Sequence, residues 1–475
     1  MFNFDNSLAC LPDILYSKLP PEQVPAPEML LFNESLADDL ELKWRDISFK
    51  QLAVMLAGNI IPNGADPLAI AYAGHQYGHF VVLGDGRAIL LGEHVKASGE
   101  RFDVQLKGSG KTKYSRRGDG KAALKPMLRE YIISEAMFAL GIPTTRSLSV
   151  VKTGEMVMRD EPQSGAVLTR IASSHIRVGN FEYLAHLNDV EALQTLLNYS
   201  INRHYPDAHQ AENPALAFLK EVIDRQAKLV CEWLRVGFVH GVMNTDNMSI
   251  CGETIDYGPC AFLDEYHSAK TFSSIDRFGR YAFNNQPVIA QWNLSRLAEA
   301  ILPLLHDEKS IAIKLAEEAI YDFDDIFANY WLDMMRGKLG LFTAQNNDIE
   351  LIQELLELMQ DNHIDYTLFF NDLSEQNTAP YQPLKQWLKN WELRLESNQK
   401  PISDAIKLMQ QNNPCIIPRN HQVDYALNEA ENGNLKPAHN LITALKNPYK
   451  LNVQNEYLQS APKAHEKIYQ TFCGT

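Results

Sequence analysis

A chain of 475 residues with 45% hydrophobic content has room for roughly two or three domains and needs neither a disordered nor a membrane class. Its 59 acidic against 44 basic residues leave a net charge of -15, which excludes nucleic-acid and anionic-membrane binders as classes, since both need a basic footprint. An anionic ligand must then meet a local island of cations, and one exists: Arg101 to Lys125 holds eight Lys or Arg against two Asp. The six cysteines lie far apart without a Cys-x-x-Cys pair, so neither a zinc site nor a disulfide framework is implied. The first residues lack the basic start and apolar core of a signal peptide, and no apolar run approaches about 18 residues; a cytoplasmic protein is expected.

Residues 1–65 are mixed, and Pro20, Pro21, Pro25 and Pro27 predict an extended arm wrapped on a later domain. Next, Phe80 to Leu83 and Ala88 to Leu91 flank Gly84-Asp85-Gly86-Arg87, which predicts a β-hairpin with a glycine tip. Such a tip lets backbone N–H groups approach nucleotide phosphates, and Arg87 adds a charge-assisted contact. His75 and His79 have ligand spacing only on a helix, which the interleaved glycines disfavour; a turn or stacking role is expected. Phe102 to Lys107 alternates as a strand ending in a lysine, the position from which a kinase-like lobe grips phosphates and pairs with a helix glutamate. That helix is predicted from Pro126 to Gly141, with Glu130 as the partner and Glu135 as the second candidate.

Between them, Gly108-Ser-Gly-Lys-Thr112 lacks the spacing of a Walker A loop, so a P-loop is rejected. The glycine-flanked, cationic stretch to Gly120 can still enclose a polyphosphate. Strands are predicted at Ser147–Val151, Glu155–Arg159 and Ala166–Arg170. The last supplies Arg170 at its end, and the following loop supplies Arg177; the two can converge on one phosphate.

A helix predicted over Ala227–Phe238 leads into His240-Gly-Val-Met-Asn-Thr-Asp246-Asn247, and Met248–Cys251 with Thr254–Ile255 reads as a short hairpin delivering Asp256-Tyr-Gly258. His240, Asn247, Asp256 and Gly258 occupy the slots of a kinase catalytic loop and its Asp-Phe-Gly. The base slot holds Val242, which cannot accept a proton. A carboxylate reappears at Asp246, beside the metal-binding asparagine, so the nucleophile-activating group has moved. Downstream, helices are predicted at Val288–Leu305, Ile311–Met335, Asp348–Met359, Pro383–Leu395, Ile402–Gln411, Val423–Glu431 and Pro437–Leu445. The expected fold is α+β and protein-kinase-like: arm 1–65, β-rich lobe 66–168, helical lobe 169–340 carrying the motifs, and helical extension 341–475.

Together, Gly84-Asp-Gly86-Arg87, Lys107-Gly-Ser-Gly, Arg117-Gly-Asp119-Gly120, Arg170, Arg177, His240 to Asn247 and Asp256-Tyr-Gly-Pro resemble the selenoprotein O (YdiU-like) protein adenylyltransferases, nearly end to end. The resemblance implies ATP bound in a flipped orientation, γ-phosphate buried, and transfer of AMP to Ser, Thr or Tyr hydroxyls of proteins, the enzyme itself included. It implies that Gly84, Gly86 and Arg87 contact the nucleotide, that Lys107, Asp119, Gly120, Arg170 and Arg177 enclose its phosphates, and that Glu130 orients Lys107. Asn247 and Asp256 would hold Mg²⁺ or Mn²⁺, Asp256 also facing the nucleotide, and Asp246 would accept the proton. UTP is the alternative nucleotide. Some members end in a selenocysteine or cysteine under redox control; here Cys473 finds no cysteine at Lys270–Ser273, and a disulfide gate is not expected. Two other readings stay open: a kinase using Asp246 as a displaced base, and a binding-only pseudokinase.

Overall fold

The computed structural model describes residues 1–472; Cys473 lies outside the described residues. Eleven strands are formed among them: β1 Tyr16–Lys18, β2 Glu28–Phe32, β3 Leu68–Gln76, β4 His79–Gly84, β5 Ala88–Val95, β6 Arg101–Lys107, β7 Ala122–Ala123, β8 Arg146–Met158, β9 Pro162–Ala172, β10 Phe238–Val239 and β11 Ala261–Phe262. The first nine make one antiparallel sheet in the order β1-β3-β5-β6-β9-β8-β2, with β4 on β3 and β7 on β9.

Successive residues of a strand face opposite sides, and that alternation builds two cores. Val151 and Val167 point to the face covered by helices α1 (Glu34–Asp39) and α2 (Phe49–Leu56), the latter started by a Ser48–Gln51 capping box. Val150 and Leu168 point to the other face, against α3 (Leu124–Ala139). Residues 1–65 are therefore more than an extended arm, since they supply two strands and two helices to this layer. β9 runs on to Ala172, so the expected boundary at 168/169 falls inside a strand.

The glycine-tipped hairpin is placed differently from expectation. The tight turn is at Tyr77-Gly78, where both residues have positive φ (52° and 88°), as a two-residue hairpin turn requires. It joins β3 to β4. The Gly84–Arg87 segment is instead a bulge between β4 and β5: both strands pair with β3, Gly84 opposite Ala71 and Leu90 opposite Leu68. Asp85 is the reason. It is buried, its N–H donates to the Ile70 carbonyl, and its carboxylate accepts from Ile70 N and Gln105 Nε2. That sends the chain inward instead of around a tip.

The rest is helical: α4 Val178–His186, α5 Val190–His204, α6 Pro214–Arg235, α7 Gln286–Ala300, α8 Leu302–Leu305, α9 Lys309–Lys338, α10 Asp348–Asp361, α11 Tyr366–Ser374, α12 Lys385–Glu396, α13 Ile402–Asn412, α14 Asn420–Glu431 and α15 Lys436–Leu445. α4, α5 and α11 were not expected, and the helix before the catalytic loop starts earlier than expected, where Asn213 caps it and Pro214 opens it. The helix expected over Val288–Leu305 is broken near Pro303 into α7 and α8. α10 to α13 share a separate core around Trp387, Phe369 and Met409. α14 and α15 return to pack on α3, fixing that helix from behind. Among the described residues no helix is long and apolar enough to cross a membrane.

Candidate active site

A buried ionic cluster joins the sheet to the helical part. Lys107, at the end of β6, places Nζ 2.6 Å from Glu130 Oε2 on α3 and 2.6 Å from Asp256 Oδ1. Arg170 on β9 donates through Nε to Glu130 Oε1 at 2.8 Å and through Nη2 to both Glu130 Oε1 and Asp256 Oδ1. Arg177, the residue before α4, lies 3.8 Å from Asp256 Oδ2 and 3.5 Å from Asp85 Oδ1, with its guanidinium 4.6 Å over the Tyr72 ring. The two arginines thus converge, on Asp256. Burial opposes ionisation of Asp256, but Lys107, Arg170 and Arg177 together hold its carboxyl well below the usual carboxylate range. Glu135 is engaged elsewhere, by Arg146 and the Ser147 N–H.

The catalytic loop is held by its neighbours. His240 Nε2 meets the Ile255 carbonyl at 2.9 Å, tying the loop to the segment before Asp256. Asn244 Oδ1 accepts from Tyr281 Oη and from the Tyr77 N–H, which docks the β3–β4 turn onto it. The hairpin expected at Met248–Ile255 does not form, because those residues spend their backbone bonds outward: Met248 and Ile250 bond Val178 and Ile176, and Thr254 bonds Pro143 and Thr145. Ser249 and Thr254 make isolated bridges to Arg177 and Thr144, with a turn at Gly252 between them.

Asp246 lies in a one-turn 3-10 helix, and its side chain presses on the β3 backbone at Gly74: a Cβ there would fall 2.7 Å from Asp246 Cγ. Its Oδ1 is buried and has no hydrogen-bond partner. Burial pushes the carboxyl up to about 6, partly offset by Arg177. Asn247 donates Nδ2 to the Val242 carbonyl at 3.0 Å, which leaves Oδ1 without a protein donor among the described residues. His75 stacks edge-on with Phe80 and Trp292, as a stacking role requires, and also pairs with Glu182.

These groups border a cleft of about 760 Å³ whose walls include Gly84, Gly86, Arg87, Lys107, Asp119, Gly120, Arg170, Arg177, Asp246, Asn247 and Asp256. Glu130 is the one sequence-predicted site residue behind the wall, acting through Lys107 and Arg170. The Asp119 carboxylate is taken by Arg159, at 2.9 and 3.2 Å, and by the Lys121 N–H, so what Asp119 and Gly120 offer a phosphate is backbone. Gly120 has φ +70°, and any Cβ there would collide with the Gly110 backbone. A second cleft of the same volume, beside Lys407, Cys415 and Tyr449, gathers no comparable set of charges.

Sequence reasoning missed Tyr72, Asp85, Gln105, Arg159, Asn244 and Tyr281. A carboxylate between two glycines marked Asp85; nothing local marked the others, whose partners come from distant segments. Among the described residues no three His, Cys, Asp or Glu side chains could hold a metal by themselves. Asn247 Oδ1 and Asp256 Oδ2, the latter only in a 3.8 Å ion pair with Arg177, are oxygen donors that fit a hard cation.

A sheet lysine paired with a helix glutamate, facing a loop that offers Asn and Asp, is the phosphate-and-metal arrangement of the protein kinases, here without their base. The model of the protein adenylyltransferase SelO family matches residues 1–446. Curated proteins named protein nucleotidyltransferase YdiU are 53% identical in Nitrosococcus oceani, covering 100% of this chain and 97% of that one, and 52% identical in Syntrophotalea carbinolica (100% and 98%) and Anoxybacillus flavithermus (100% and 99%). The chain belongs to the SelO/YdiU family of protein nucleotidyltransferases. Among solved structures, ROP2 from Toxoplasma gondii, described as a virulence factor with a protein-kinase fold and no enzymatic activity, is 12% identical with a TM-score of 0.25 over 71% of this chain and 84% of that one, an overlap too small to carry weight.

Proposed function

We propose that the enzyme transfers AMP from ATP to Ser, Thr or Tyr hydroxyls of proteins, itself included, with UTP as the alternative donor of a nucleotidyl group. One observation carries this: the kinase base slot holds Val242, whereas Asp246, with an unpartnered buried oxygen, stands beside Asn247. The charge-rich end of the triphosphate is drawn to the deepest cations, Lys107, Arg170 and Arg177, all buried. With the terminal phosphates held by those cations, the α-phosphate is the one presented to Asp246, which disfavours γ-transfer.

Arg87 and the backbone of Gly84–Gly86 and Asp119–Gly120 position the phosphates. Mg²⁺ or Mn²⁺ held by Asn247 and Asp256 would neutralise phosphate charge. Asp246 accepts the acceptor hydroxyl proton; the hydroxyl oxygen bonds the α-phosphorus, the bond from that phosphorus to the bridging oxygen breaks, and pyrophosphate leaves with its charge met by the buried cations.

The test is self-labelling of the purified enzyme with ATP labelled at the α- or the γ-phosphate. Label retained only from the α position supports adenylyl transfer; label only from the γ position makes this a kinase, and label from neither on the enzyme or any protein makes it a nucleotide-binding module.

A further inference from the structure

We propose that the acceptor polypeptide docks on an aromatic and arginine wall at the cleft mouth, an apolar side chain next to its hydroxyl residue packing on Ile275 and Phe278 and a carboxylate meeting Arg277. The proposal rests on the nucleotidyl-transfer reading above and names the kind of sequence that reading would act on.

Ile275 borders the cleft and is 59% exposed, and Phe278, three residues on, is 98% exposed. Large apolar side chains left bare beside a cleft mark an interaction surface, because burying them gains free energy only when a partner covers them. The loop does not present them through slackness. Buried Asp276 accepts the N–H groups of Arg280 at 2.9 Å and Tyr281 at 2.8 Å, its own N–H donates to Ser273, and Asn285 Nδ2 donates to the Gly279 carbonyl at 2.9 Å. The turn is built from its own bonds and holds Phe278 outward.

The wall continues from there toward the sheet. Arg280 lies 4.7 Å over the Trp292 ring, Trp292 meets His75 at 5.2 Å, and His75 meets the half-exposed Phe80 at 5.4 Å. The same loop abuts the β3–β4 turn, whose Tyr77 ring is 5.1 Å from Tyr281. Charge supplies the second half of the recognition. In a chain of net charge -15, Arg280 lies over the Tyr281 and Trp292 rings, and neither it nor exposed Arg277 has an ion pair among the described residues. An exposed guanidinium without an ion pair, as at Arg277, favours an acidic partner and disfavours a basic one. Ile275, which lines the cleft, joins this surface to the site, and the segment carrying the acceptor hydroxyl is therefore the occupant we assign.

The experiment uses the full chain, Mg²⁺ or Mn²⁺, α-labelled ATP, and a positional library of peptides with one Ser, Thr or Tyr and varied neighbours. Peptides with an apolar flanking residue and a nearby Asp or Glu are expected to label best. Phe278→Ala should reduce the apolar advantage about tenfold, and Arg277→Glu should reverse the charge preference, with ATP affinity, titrated separately, reporting that each variant is folded. A ranking unchanged in both variants, or equal labelling of all peptides, overturns the docking wall and leaves transfer intact; so does self-labelling with no peptide labelled. Absence of α-label on every peptide and on the enzyme overturns the transfer reading itself.

Discussion

Gly74 on β3 leaves the space that the Asp246 carboxylate occupies: a Cβ at position 74 would lie 2.7 Å from Asp246 Cγ and 2.9 Å from its Cβ. The backbone conformation of Gly74 is ordinary, so only this contact demands glycine. Gly74→Ala therefore must turn Asp246 away or part the loop from the strand. If Asp246 is the general base and the cation cluster binds ATP, as proposed, nucleotidyl transfer should fall about 100-fold or more while ATP affinity stays within about twofold. Equal loss of binding and turnover would show that the substitution disturbs the cleft as a whole.

Glu130 is the only carboxylate that meets both Lys107 and Arg170 from α3. Removing one partner of a buried ion pair leaves uncompensated charge and costs about 3–5 kcal/mol. Glu130→Ala should lose stability on that scale in denaturant unfolding and weaken ATP binding with it. Glu135→Ala, whose partner is the partly exposed Arg146, should leave ATP binding unchanged.

Much of this site was legible because its chemistry is concentrated in one run. His240, Asn247 and Asp256 are spaced within a single stretch, and the absence of a base at Val242 is a matter of side-chain type. The Lys107–Glu130 pair followed from a strand end and a helix start, both marked by local periodicity. What stayed illegible depends on pairing between distant segments. The Gly-Asp-Gly segment has the composition of a turn, but Asp85 meets Ile70 and Gln105, 15 and 20 residues away, and burial of that carboxylate makes a bulge. Likewise Met248–Ile255 alternates like a hairpin, yet its backbone groups are claimed by Ile176, Val178 and Pro143. The return of α14 and α15 onto α3 has no local signature at all.

Asp256 accepts from Lys107 and Arg170 through Oδ1, and Oδ2, 3.8 Å from Arg177 Nη1, is the oxygen that would hold a cation under the proposed function. Asp256→Ala should abolish labelling and metal-dependent ATP binding together. Arg177→Ala, which removes a charge-assisted contact of about 1.5–3 kcal/mol, should weaken ATP binding about 10- to 100-fold, and Arg170→Ala should do so at least as strongly because Glu130 also loses a partner. Isothermal titration with and without Mg²⁺ checks all three. Unchanged affinity in both arginine variants would remove them from the phosphate site.

Glu253 sits three residues before Asp256, accepting from the Ser173 N–H at 3.0 Å and from the Ser173 hydroxyl. Burial pushes its carboxyl up to about 7, although both Ser173 bonds work the other way. A raised folded-state value means the native chain binds the proton more tightly than the unfolded one. Its contribution is therefore fully present below the unfolded carboxyl value, near 4.5, and is lost as pH rises through about 7. Glu253→Gln keeps the contact, since an amide oxygen can accept from the Ser173 N–H and the amide can donate to its hydroxyl, but it carries no charge at any pH. The variant should nearly match the parent near pH 4.5 and exceed it by roughly 3 kcal/mol at pH 8. Parallel unfolding curves at the two pH values measure this: a stability difference that does not change with pH would mean Glu253 is solvated well enough to ionise in the fold.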